Sequence, residues 1–280
     1  MNFLTKLQHI DRRVMYLLLG LVIAAPLVIP NLNLPIVVSP AAQGFYDTIE
    51  KMPSNKIALV SANWAAGTES ENRPQTEAII RHLFMRNKKF AIISFDPQGS
   101  KFADDIATGI AKEMGKKYGE DWVHWGFRPP QQMVLTAQGI GRDIPKTIGT
   151  DKNGTPLSKI PMMRGVKSVK DVGFIAEITP SSTIGIWIQF IYGQKEYRTP
   201  ILYAPTSVSG PEGYNWLDSG QIKGMLVGMK GAAEYEQLIG HKGFATRGAS
   251  ALSSSHLLII ILIILGNIGY ISSRRRRRES

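Results

Sequence analysis

The residues able to carry chemistry in this chain gather just after its short apolar runs. Ser61, Asn63 and Trp64 follow Ile57-Ala58-Leu59-Val60, and Asp96 and Gln98 follow Phe90-Ala91-Ile92-Ile93. Arg128 follows Trp122-Val123-His124-Trp125-Gly126-Phe127. Ser181 and Ser182 come after Val172 to Thr179, and Thr206 and Ser207 after Pro200-Ile201-Leu202-Tyr203-Ala204. If each run is a strand of a parallel sheet, these side chains share one edge. Ligands of such sheets bind in the crevice outside the carboxyl ends of the strands. Ser61, Asn63, Trp64, Asp96, Gln98, Arg128, Ser181 and Thr206 are therefore the candidate ligand-binding set. The polar stretch from 62 to 73, with Gly67, is the best binding loop. Its simpler role is a surface loop that caps the next helix. Asp96 and Glu177 would form a carboxylate pair for acid–base work only if their strands are neighbours. Helix capping is the simpler role for Asp96.

Stronger chemical signatures are missing. No GxGxxG or GxxxxGK[ST] motif follows the first run, and Glu69 and Glu71 would repel a phosphate from the helix start. There is no GxSxG elbow. The five histidines, at 9, 82, 124, 241 and 256, show no paired ligand spacing, and with no cysteine there is no thiolate site or disulfide. His124 lies inside a strand, where a satisfied core histidine is expected. The five tryptophans, Trp64, Trp122, Trp125, Trp187 and Trp216, are read as core. No catalytic residue, metal or cofactor is assigned.

The elements that position these groups alternate. Helices are expected over 74–86, with Ala78, Ile79, His82, Leu83 and Met85 as its apolar face, and over 101–118, capped by Ser100. Others are expected near 131–139, from Pro180 through Ile191, and over 232–238. Residues 222–227 read as an edge strand or as part of the last helix. Gly224, Gly228 and Gly231 suit close backbone approach. The stretch from 140 to 168 is irregular apart from an Asn153-Gly154 turn, and its length suggests a lid, a hairpin or a partner-binding loop. Strands alternating with helices predict an α/β domain: a Rossmann-like or flavodoxin-like, mostly parallel sheet of about five strands. Runs such as AIISF lack polar alternation because parallel strands are buried on both faces.

Apolar segments flank this domain. Leu257 to Ile271 carries no charge, and from Ala251 the segment reaches 21 residues, about 31 Å as a helix, which matches a bilayer core of about 30 Å. Arg274, Arg275, Arg276, Arg277 and Arg278 follow it. They fix its end on the side where the chain is made and suit anionic lipid head groups. The 14–38 segment is read as a first, uncleaved transmembrane helix. A cleaved signal peptide competes, but the apolar core is long and Ala41-Ala42-Gln43 is a poor, late site. A processed sorting signal at the C-terminus competes too, without an LPxTG or Pro-Glu-Pro motif.

The organisation expected is a leader at 1–13, transmembrane helices at 14–38 and 251–272, an extracytoplasmic domain at 45–245 and an Arg-rich tail at 273–280. Lys6, Arg12 and Arg13 before the first helix, and the arginines after the second, put both termini in the cytoplasm. These eight cations also explain most of the net charge of +11. Without them, and without Asp11 and Glu279, the body keeps 25 basic and 20 acidic residues, about +5 and mixed along the chain. That excludes a nucleic-acid stripe.

On Pro161-Met162-Met163-Arg164-Gly165-Val166, Leu217-Asp218-Ser219-Gly220-Gln221 and Gly231-Ala232-Ala233-Glu234-Tyr235-Glu236, the chain resembles uncharacterised bacterial membrane proteins over about residues 45–240. The resemblance implies one α/β domain between two transmembrane helices and carries no activity. In layout alone the chain is similar to membrane-anchored α/β accessory subunits beside transporters.

Three functional expectations follow. The first is a non-enzymatic membrane subunit whose external domain binds a membrane protein or a second copy. The second is a small-ligand sensor or transport accessory using the strand-end crevice. The third is a hydrolase using Asp96, Glu177 or Ser181.

Overall fold

The computed structural model describes residues 11–29, 32 and 34–279, and excludes the side chains of 272, 273 and 275–279. The leader at 1–10, with Lys6, and the side chains of Arg275, Arg276, Arg277 and Arg278 lie outside the described residues. The chain divides into an α/β unit, Val37–Ala245, and a second unit made of Met1–Ile36 with Thr246–Ser280.

The α/β unit is built on six parallel strands: β1 (Ile57–Ala62), β2 (Phe90–Ser94), β3 (Trp122–Phe127), β4 (Val172–Thr179), β5 (Ile201–Pro205) and β6 (Gly224–Met225). Their order is β3-β2-β1-β4-β5-β6, so the chain reverses direction across the sheet between β1 and β4. Side chains along β1 alternate between two cores, Ala58, Val60 and Ala62 into one and Ile57 and Leu59 into the other. Both faces are buried, which is why these strands read as continuous apolar runs. The sixth strand is only two residues, paired through Leu202 and Tyr203, too short to leave a pattern.

One face is covered by α2 (Pro40–Glu50), α3 (Glu69–Met85), α4 (Pro97–Met114) and, further along the chain, α9 (Gly228–Leu238). Two sequence expectations change here. First, α3 starts at Glu69, five residues before Pro74, which sits inside it. The stretch read as a long binding loop therefore shrinks to Asn63–Ala65 and one 3₁₀ turn, Ala66–Thr68. Second, α4 is capped by Asp96, whose side chain accepts from the Gln98 and Gly99 amides. It ends at Gly115, whose φ of 66° suits glycine. Ser100 is inside the helix. Gly224 is required where α2 lies on β6: a Cβ there would stand 2.1 Å from the Phe45 amide nitrogen.

The other face is covered by α5 (Met133–Arg142), α6 (Ile144–Ile148), α7 (Ile184–Trp187) with its π-helical continuation Ile188–Tyr192, and α8 (Gly210–Asp218). The stretch from 140 to 168 is neither lid nor free loop. Ile144, Ile148, Leu157, Ile160, Met162, Met163 and Val166 are all buried in this core. Helix α6 and the 3₁₀ turns Leu157–Lys159 and Pro161–Met163 carry them inward.

In the second unit, α1 (Arg12–Val28) has 17 residues, an Asp11 cap and Pro26 inside, and it stops about ten residues short of the helix expected over 14–38, because the backbone turns extended at Ile29 and residues 34–39 are not helical. The last helix, α10 (Phe244–Glu279), has 36 residues, about 54 Å at 1.5 Å per residue. Among the described residues, its Phe244–Ile271 span is the one helix long and apolar enough to cross a membrane, with a mean hydropathy of 2.1. Leu257, Ile260, Ile263, Ile264 and Ile271 stand exposed along it.

Candidate functional site

The reversal point between β1 and β4 holds a buried polar network. Ser61 ends its run in β1 and Glu177 lies opposite it in β4. One Glu177 oxygen accepts from Asn63 Nδ2 at 2.8 Å and from Thr183 Oγ1 at 2.6 Å, and the other from Trp187 Nε1 at 2.7 Å. Asn63 Nδ2 also donates to Ser61 Oγ, and its Oδ1 accepts from the Phe95 amide at 2.6 Å. That last bond fixes which way the Asn63 amide points. Burial pushes the Glu177 carboxyl up, against the donors from Ser61, Thr183, Asn63 and Trp187 that pull it down. Hydroxyls continue the network outward: Thr179 and Thr183 each lie within hydrogen-bond reach of Ser181, which is exposed.

The strand-end residues thus meet only in part. Ser61, Asn63 and, through Thr179 and Thr183, Ser181 join one network. Gln98 accepts from the Ala66 amide at 2.9 Å and ties the β1 loop to the start of α4. Gly99 sits against the same loop, where a Cβ would be 2.5 Å from the Ala62 carbonyl oxygen. Asp96 is a helix cap, and β1 lies between its strand and that of Glu177, so these carboxylates are not paired by neighbouring strands. Trp64 points elsewhere: it donates to Thr76 Oγ1, stacks on Phe102 and belongs to the α3–α4 core. Thr206 is buried, its hydroxyl 3.4 Å from Ser209. Arg128 donates to the Ile148 carbonyl at 2.6 Å, and burial lowers its pKa. The crevice is filled by the chain's own groups: Ser61, Glu177 and Thr179 are fully buried.

Two further polar clusters escaped sequence reasoning. His82 of α3 accepts from Tyr235 Oη at Nδ1 (2.6 Å) and meets Glu50 at Nε2 (3.0 Å), which fixes the neutral Nε2–H tautomer. Burial keeps His82 below its usual pKa. Glu50, bonded to Arg86, His82 and Tyr46, is held down to about 2 although its partial burial opposes this. The second cluster is on α9. Buried Glu234 accepts from the amide and hydroxyl of Ser39, the N-cap of α2. Buried Glu236 accepts from the Gly243 and Ala245 amides at 2.8 and 3.1 Å. Two carboxylates separated by about 3 Å of helix rise thus hold both ends of the α/β unit. The signal for both clusters was an acid amid an otherwise apolar helix face, but its partners lie more than 30 residues away or in turns.

His124 is the satisfied core histidine expected. Its Nδ1 accepts from the Gly126 amide at 2.8 Å, and its Nε2 donates to the Ser100 carbonyl at 3.1 Å. Among the described residues no group of three or more His, Asp or Glu is placed to hold a metal ion. No family model matches the chain, and no curated protein or solved structure matches it.

Proposed function

We propose that this chain is a membrane-anchored, non-enzymatic subunit: two helices tether an extracytoplasmic α/β domain that binds a partner protein in a membrane complex. The observation that carries the reading is the clamp on α9. Glu234 holds the segment that enters the domain, and Glu236 the segment that leaves it, within one helical turn. Charge-assisted bonds to buried carboxylates are strong and directional. A domain whose entering and leaving segments are both held by one short helix suits attachment to a membrane at both ends. The apolar, exposed Phe244–Ile271 span supports the second anchor. The first anchor rests on the apolar helix α1, where Leu17, Leu21 and Val28 are exposed.

The absence of cysteine makes the topology testable. Single cysteines replace Val208, which is 90% exposed, or Glu279 in the tail. The proposal expects Val208→Cys to react with an impermeant maleimide on intact cells and Glu279→Cys to react only after permeabilisation. The reverse pattern rejects it.

A small-ligand reading of the strand ends keeps one supporting observation: a buried acid with a raised pKa at the reversal point, linked by hydroxyls to the exposed Ser181. Thermal-shift screening against polar metabolites tests it, and Glu177→Gln should abolish any stabilisation found.

A further inference from the structure

A cavity of about 460 Å³ lies beside the first residues of β3, away from the reversal point and the α9 clamp. Thr108, Lys112 and Lys116 of α4 and its exit line one side, and Tyr118, Trp122 and Lys152 the other. This volume is in the range of small-molecule sites.

Its walls divide by chemistry. Tyr118 and Trp122 meet edge to face, with ring centroids 4.9 Å apart, and form an aromatic wall. Lys152 Nζ stands 5.4 and 5.9 Å from the two ring centroids. Its charge is matched by Asp104 at 2.5 Å. The ammonium groups on α4's side are not matched. Lys116 donates to the neutral Asn87 side chain, and Lys112 makes no ion pair or hydrogen bond among the described residues. The other nearby acid, Asp151, is occupied by the Tyr118 hydroxyl and the amides of Asn153 and Thr155. An independent feature is the indole of Trp122. The residue is 2% exposed and its Nε1 has no hydrogen-bond partner. Buried donors are almost always paired, and this one belongs to a residue that lines the cavity.

The contrast with the cavity of about 350 Å³ between α3 and α4 is instructive. There Arg73 pairs with Glu69 and Glu77, and Arg81 with Glu113, so its cations are already matched. Of these two cavities, the β3 one combines unmatched cations with an aromatic wall.

We propose that the β3 cavity binds a small aromatic anion: a single flat ring bearing a phosphate or a carboxylate. The ring lies against Tyr118 and Trp122, and the anionic group sits between Lys112 and Lys116. Lysine ammonium groups suit phosphate as point charges, and aromatic side chains add stacking. The site is independent of the partner-binding reading.

The test is isothermal titration of the full-length protein in detergent micelles with phenyl phosphate, with inorganic phosphate and phenol as controls. One saturable site is expected for phenyl phosphate, with each control at least about fivefold weaker, because each keeps only half of the recognition. Lys112→Ala with Lys116→Ala should weaken binding about tenfold or more, without lowering the unfolding temperature. Lys112→Ala alone, at an exposed position, gives a second readout in the same direction if the double variant folds poorly. No saturation with phenyl phosphate, equal binding of inorganic phosphate, or wild-type affinity in the lysine variants would each overturn the proposal.

Discussion

Replacing Glu177 with Gln tests the network at the reversal point without changing its volume. Each carboxylate oxygen faces a donor that cannot become an acceptor: Asn63 Nδ2 at one and Trp187 Nε1 at the other. The Asn63 amide cannot turn to help, because its Oδ1 holds the Phe95 amide. A glutamine must therefore aim its own NH₂ at a donor, whichever way it is placed. One buried donor is left unpaired, at about 1–3 kcal/mol. In a unit of this size that lowers Tm by about 4–8 °C at the middle of the range. Glu177→Ala adds a cavity and leaves both donors unpaired, so it should cost more, about 3–5 kcal/mol. The sign with pH is also set. A carboxyl whose folded pKa is raised stabilises the fold most below its unfolded value of 4.5 and loses that contribution as pH rises. The gap between wild type and Glu177→Gln should thus narrow as pH rises above that value. Urea unfolding followed by tryptophan fluorescence measures both quantities. A cost below about 0.5 kcal/mol for Glu177→Gln would refute the structural role given to the network.

Other expectations follow from the same contacts. Glu236→Gln should weaken the hold on the Gly243 and Ala245 amides, raising hydrogen exchange at 243–246 about tenfold while Ser39 keeps its protection. Glu234→Gln should reverse that pattern, exposing the start of α2. Acid should destabilise the α2–α3–α9 junction in two stages. The first is below the unfolded histidine value of 6.5, because His82 is held neutral; the second is as pH falls through 4.5 toward the Glu50 value of about 2. His82→Phe should flatten the first stage in a plot of urea midpoint against pH. Gly224→Ala places a Cβ 2.1 Å from the Phe45 nitrogen and should cost about 3 kcal/mol or more, read as a lowered Tm.

Much of the sheet was legible because parallel strands buried on both faces leave unbroken apolar runs, such as IALVSA and FAIIS. The two-residue β6 left none. Pro74 misplaced the start of α3, since a proline is a common first residue of a helix and here lies inside one. The signal for α2 was present in Ser39-Pro40, a cap followed by a first-turn proline, with Ala42, Phe45 and Ile49 facing the core. The 140–168 stretch hid its role because residues carried inward by 3₁₀ turns have no period to detect. At the site, the strand-end rule found Ser61, Asn63 and Ser181. It did not find Thr183 or Trp187, which close the crevice from the following helix. Periodicity reports which face of an element is buried, not which side chain from another element fills the space above it.

The most direct test of the partner-binding account is native mass spectrometry of the full-length protein extracted from its membrane in mild detergent. The account predicts an assembly of fixed stoichiometry, containing a second membrane protein or further copies of this chain, that loses its partner when the external domain is removed. A lone monomer in that extract, with catalytic turnover of its own, would contradict it.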